Sequence, residues 1–232
     1  MNLNPFGFLN FGRTTASFGT VYTLLIPPLS ISTLTLIDFL QFTISTTAHT
    51  LTIMRPLSSQ QVTGQSHRCS AYLTALAADT QAVININQDP GVFTAYTFNG
   101  SSAPKTANNV IAASDYVAFQ YPDGTWGLDT VASVSTLAVT LTNNLSTGGL
   151  AAAAPLWFFG ISTDTNPADG KAHAPFTLPA STIANFGDEG KPFFSAFKAG
   201  EPLLIYVNNA TAASVLERAS AIYVNRGGPY QS

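Results

Sequence analysis

The chain has 232 residues, is 46% apolar, and carries only 9 Lys/Arg and 12 Asp/Glu, so that 9% of it is charged and the net charge is −3. About a quarter charged is usual for a soluble domain; nine scattered basic residues offer no face for a phosphate backbone, which argues against nucleic acid as a partner. The length allows a substantial core, and 16 Phe, 8 Tyr and 2 Trp among Val/Ile/Leu runs argue against disorder.

The most apolar stretch, 21–44, is interrupted by Pro27-Pro28 and Asp38 and by many Ser and Thr, which argues against a membrane span. No charged segment followed by an apolar run opens the chain, so no export signal is expected. The single cysteine, Cys69, precludes an intrachain disulfide. A chain this poor in charge tends to associate, and the simplest reconciliation is a surface that other chains cover.

Residues 1–30 space Phe6, Phe8, Phe11 and Phe18 with Gly7, Gly12 and Gly19 and sustain neither helical nor strand periodicity. They read as an extended N-terminal arm whose aromatics order against a partner; the alternative is a strand and loop of the main core. Residues 31–54 alternate. Leu34, Leu36, Phe42 and Ile44 predict one half-buried strand, and His49, Leu51 and Ile53 predict a second, the two forming a hairpin through Ser45-Thr46-Thr47. Ser66 to Asp79 is the best helix candidate, with Ser66 as cap and Tyr72, Leu73, Leu76 and Ala77 at helical spacing.

Strand character returns over Gln81–Asn87. Turn signals then recur at Asp89-Pro90-Gly91, Asn99-Gly100, Asp123-Gly124, Gly148-Gly149, Asp169-Gly170, Asp188-Glu189-Gly190 and Ala199-Gly200. Between them lie strand-like runs over 92–98, 115–121, 130–134, 137–141, 156–161, 202–207 and 216–224. Asp123-Gly124 is the clearest hairpin turn. No linker splits the chain, and the expectation is a mainly β protein: an arm over 1–30 and one β-rich body over 31–232, an antiparallel sandwich or barrel-like fold with at most one or two short helices.

Catalytic chemistry finds little purchase. His49, His67 and His173 are not at metal-ligating spacing, and Cys69 beside an Ala-rich stretch reads as a small core residue rather than a nucleophile. Asp89, Asp123, Asp169, Asp188 and Glu189 sit beside Gly or Pro, where acids serve turns. Asp164-Thr165-Asn166 with Asp169 lacks the register of a calcium loop. Phosphate loops and nucleophile elbows are absent from the sequence. Sequons at Asn99, Asn144 and Asn209 fit the high Asn, Ser and Thr content. No enzyme, metal or cofactor is expected.

Consecutive Trp157-Phe158-Phe159 must place side chains on both faces of a strand. One face belongs to a core, and Trp157 and Phe159 become candidate interface residues beside Phe6, Phe8, Phe11 and Phe18, because interface centres favour aromatics and exclude charge. Phe119, Trp126, Val131 and Val139 are expected in one core.

The stretch "AASDYVAFQYPDGTWGLDTVASVSTLAVTLTNNLSTGGLAAAAPLWFFGI", with "GEPLLIYVNNATAASVLERASAIYV" and "HTLTIMRPL", resembles β-rich structural proteins of tailed bacteriophages, in particular head decoration (cement) proteins. The resemblance is one of composition and strand–turn rhythm and transfers no functional residue. It implies a virion protein on the capsid surface, with the major capsid protein and further copies of itself, as in a trimer, as partners; no membrane partner is expected. A tail, baseplate or collar component and a carbohydrate-binding β-sandwich module are the alternatives.

Overall fold

A computed structural model describes residues 7–13, 21–28, 30–44, 48–59, 70–87, 93–94, 111–146, 148–160, 173–187, 193–196, 198–208 and 216–227. In chain order the strands are β1 (Gly7–Arg13), β2 (Val21–Ile26), β3 (Thr33–Ile44), β4 (His49–Met54), β5 (Ser58–Ser59), β6 (Ala71–Tyr72), β7 (Val83–Asn85), β8 (Phe93–Thr94) and β9 (Tyr116–Gln120). They continue with β10 (Trp126–Ser135), β11 (Ala138–Leu141), β12 (Pro155–Phe159), β13 (His173–Leu178), β14 (Ile183–Phe186), β15 (Phe194–Ser195), β16 (Leu203–Asn208) and β17 (Leu216–Gly227). The protein is mainly β and antiparallel, with no helix among the described residues.

Two compact units form: one from Met1–Met54 with Ala174–Ser232, the other from Arg55–His173. The sequence reading of one body over 31–232 carries no hint of this division. The strands that leave and re-enter the first unit, β4 and β13, are neighbours in one sheet. The second unit is therefore inserted, in chain order, between β4 and β13.

The first unit is a sandwich. One sheet runs β1-β17-β3-β14 with β15 also on β3; the other runs β13-β4-β16-β2. Their inner faces share a core of Ile37, Leu40 and Phe42 from β3, Leu51 and Ile53 from β4, Leu203, Ile205 and Val207 from β16, and Ile26 from β2. At one margin Phe176 of β13, Phe186 of β14 and Phe193 pack at ring-centroid distances of 5.1, 5.2 and 5.7 Å, and so bind the edge of one sheet to the edge of the other.

Two expectations are corrected here. The arm reading ends too late: residues 21–26 are a strand paired along its whole length with β16, and Ile26 is fully buried. The hairpin between 31–44 and 49–54 does not form. β3 pairs with β17, β14 and β15, whereas β4 pairs with β16 and neighbours β13. Both strands alternate because each lines the sandwich from its own side, in a different sheet.

The second unit is barrel-like. Its sheet runs β6-β12-β9-β10-β11-β7. The two ends then meet: Leu73 bridges Ile86, the Thr74 N–H donates to Asn85 O at 2.9 Å, and the Asn87 N–H donates to Tyr72 O at 2.9 Å. Inside lie Val117, Phe119, Val131, Val139, Leu141, Leu156, Phe158, Ile84 and Ile86. Ser70 ties the wall together, its hydroxyl donating to Leu57 O and accepting from the Phe158 N–H at 3.1 Å.

The predicted helix over 66–79 is not there in its described part. Residues 70–79 are β6, two bridges and turns. The Leu73 and Ala77 N–H groups donate to Ala154 and Leu150 carbonyls, each at 3.0 Å, so cross-chain pairing takes the donors a helix would need. Leu76, expected on the apolar helix face, is 67% exposed. The Asp123-Gly124 hairpin does form, joining β9 to β10 in register Trp126↔Gln120 to Thr130↔Tyr116. Gly124 supplies the left-handed residue at φ 88°, and Asp123 Oδ1 accepts from the Thr125 N–H at 2.9 Å and its hydroxyl at 2.7 Å. Those bonds, the hydroxyl first, hold the Asp123 carboxyl below its usual range.

Candidate interaction surface

Register decides which aromatics face where. Residues opposite each other on antiparallel strands share a face. Gly127 opposes Phe119, Asp129 opposes Val117, and Phe158 also opposes Val117: this is the inner face. Leu128, Ala118 and Trp157 form one row of the outer face, and Tyr116 with Phe159 belongs to the next.

The Trp-Phe-Phe triplet thus divides as alternation requires, with Phe158 in the barrel core and its neighbours outward. The outward side chains are nevertheless covered within the chain: Trp157 is 5% and Phe159 0% exposed. They offer no free contact surface. Trp126 departs from expectation too. Phe119, Val131 and Val139 do share one core. Trp126 lies half-buried on the outer face, its ring 5.0 Å from that of Trp157. The cause is the one-residue parity between Trp126 and Gly127.

Of the arm candidates, Phe8 and Phe11 lie on β1, which pairs with β17 in register Gly7↔Tyr223 to Arg13↔Arg218; Phe6 and Phe18 lie outside the described residues.

The exposed large hydrophobics among the described residues are Ile31, Leu76, Val83, Leu137 and Ile183. Leu76, Val83 and Leu137 lie on β7 or beside it in the chain pairing. Val83 is on that strand, Leu137 O accepts from the Ile86 N–H at 2.9 Å, and Leu76 follows Thr74, which bonds Asn85. Sequence reading missed this trio, because Val83 sits in ordinary strand alternation and Leu76 in an apparent helical stripe.

Part of the scarce charge is buried among the described residues. Arg55, Asp115, Asp129 and Glu201 are all buried. Asp129 Oδ1 accepts from the Thr130 N–H at 2.7 Å and Asn143 Nδ2 at 2.9 Å, while its Oδ2 accepts from the Asn143 N–H at 3.0 Å. Asp115 Oδ2 accepts from the Ala112 N–H at 2.9 Å, and Glu201 Oε2 from the Lys198 N–H at 3.0 Å. These carboxylates hold turns and strand ends. Among the described residues no three His, Cys, Asp or Glu side chains gather as a metal site would require. His67, Cys69, Asp89, Asp164, Asp169, Asp188 and Glu189 lie outside the described residues. No family model, curated protein or solved structure matches the chain.

Proposed function

We propose that the chain is a structural component of a tailed-phage virion, a decoration protein that binds the capsid surface and stabilises the head lattice. The observation that carries this reading is the scarcity of charge on the exterior. Only 9% of residues are charged, and among the described residues Arg55, Asp115, Asp129 and Glu201 are buried, so part of an already small charge does not face solvent. Such an exterior suits docking against protein, since dry contacts between uncharged surfaces desolvate no ions. An antiparallel all-β scaffold with apolar side chains exposed around β7 is consistent with it. Burial at many symmetry-related lattice points would contribute avidity beyond any single contact.

Co-expression with the major capsid protein of the same genome tests the reading. The expected outcome is co-sedimentation with assembled heads at a saturating ratio set by the lattice, together with a higher disruption temperature of decorated heads. Sedimentation with tails alone moves the assignment to a tail or collar component. Retention on a glycan array without any particle binding replaces it with a carbohydrate-binding module.

A further inference from the structure

His49 opens β4 and is 5% exposed, yet neither Nδ1 nor Nε2 has a hydrogen-bond partner among the described residues. It alternates with Leu51 and Ile53, whose side chains line the sandwich core, so the imidazole sits at the end of that apolar row. A neutral imidazole in such a place is tolerable. An imidazolium there is a buried charge without an acceptor among the described residues, which is far more costly.

β4 lies between β13 and β16, and the core is completed from β2, β3 and β15. The titratable and charged residues on the strands of the two sheets are His173 on β13, Tyr206 on β16, Tyr22 on β2, Asp38 on β3, Arg13 on β1, and Glu217, Arg218, Tyr223 and Arg226 on β17; β14 and β15 carry none. Tyr206 pairs with Thr52 and so belongs to the other face of the sheet from His49, Leu51 and Ile53.

We infer that His49 is an acid-sensitive latch of the sandwich unit: proton uptake places an unpaired imidazolium at the core margin and loosens β4 from its neighbouring strands. The sign follows from burial, which holds the folded-state pKa of His49 below the ordinary 6.5. Between those two values the unfolded chain binds more protons than the folded one. Stability is therefore intact above pH 6.5 and declines as pH falls, by up to about tenfold in the folding constant per pH unit for one proton.

The test uses the full chain. Urea unfolding followed by circular dichroism, and amide exchange across 49–54, are compared at pH 7.5 and 5.5 for the wild type, His49→Gln, His49→Phe and His173→Gln. The expected result is a wild-type folding constant that drops by up to about tenfold, with faster exchange in β4. Both His49 variants should lose that acid dependence, and His173→Gln should keep it. Equal acid dependence in wild type and His49 variants, or its loss in His173→Gln alone, overturns the inference. Should the variants fail to fold, the NMR titration of His49 in the wild type decides. Titration at or above pH 6.5 overturns the latch, and titration below it, with accelerated β4 exchange on acidification, supports it.

Discussion

The two units bury similar side chains but gather them from different distances along the chain. In the barrel-like unit β9, β10 and β11 follow one another through short turns, and the unit is one continuous stretch, Arg55–His173. In the sandwich the ends of the chain are joined: β1 and β3 pair with β17, and β2 pairs with β16. Local pairs close small loops and form early, whereas the terminal pairs must first meet the larger closure entropy of the intervening chain. Removing either end of the chain should therefore harm the sandwich more than the barrel.

The sharpest way to break the comparison is to injure each core separately. Both tryptophans, Trp126 and Trp157, lie in the barrel-like unit, so tryptophan fluorescence reports that unit. Phe158 is fully buried in its core, and Phe42 is 1% exposed in the core of the sandwich. Each Phe→Ala change should cost about 3–5 kcal/mol. Phe158→Ala should lower the fluorescence-detected midpoint. Phe42→Ala should lower the midpoint seen by circular dichroism and leave the fluorescence transition in place. A fluorescence midpoint lowered equally by both changes would show that the units unfold as one.

A smaller effect tests register inside the barrel. Gly127 lies under the Phe119 ring, and a Cβ built there would stand 2.2 Å from the ring edge. Gly127→Ala should cost about 1–3 kcal/mol in a chemical-denaturation experiment. Adding Phe119→Leu should recover part of that loss, because the pair shares one space. Strict additivity of the two changes would contradict the ring-over-glycine packing. Below it in size comes Trp126→Ala. As a half-buried residue of the outer face it should cost about 1–2 kcal/mol, through the lost ring contact with Trp157 and the area it covers. A loss as large as that of Phe158→Ala would return Trp126 to the core that its sequence neighbours suggested.

What could be read from the sequence follows the same division. The strands over 116–120, 138–141 and 155–159, the Asp123-Gly124 hairpin and the inward placement of Phe119, Val131 and Val139 were legible because period-two alternation and turn residues are local signals. The parity of Trp126 was not, since only the paired register shows that Gly127 takes the inward position. The spacing of Tyr72, Leu73, Leu76 and Ala77 imitates a helix, yet its backbone donors are claimed by residues far along the chain, a preference no local window contains. The expected β3–β4 hairpin failed for a related reason. Two half-buried strands joined by a polar turn read alike whether they pair edge to edge or face each other across a core. For the candidate surface, aromatic content pointed to Trp157 and Phe159, which are covered. The exposed trio around β7 consists of aliphatic residues with no distinguishing spacing.

The smallest effect lies at the turn between β10 and β11, where Ser135 pairs with Ala138 across Thr136-Leu137. Thr136 has φ 52° and Leu137 is not in the left-handed region, the pattern of a turn whose first central residue is best Gly. A β-branched residue there is strained, and glycine relieves the strain while adding freedom to the unfolded chain. Thr136→Gly should therefore stabilise the barrel-like unit by a net of about 0.5–1 kcal/mol, read as a higher fluorescence-detected midpoint. Because the turn lies in the inserted unit, the gain should leave amide exchange in β17 unchanged if the sandwich is held by its own long-range pairs. A slower exchange there would mean that stability is shared between the units, and that the contrast between local and distant assembly belongs to folding order alone.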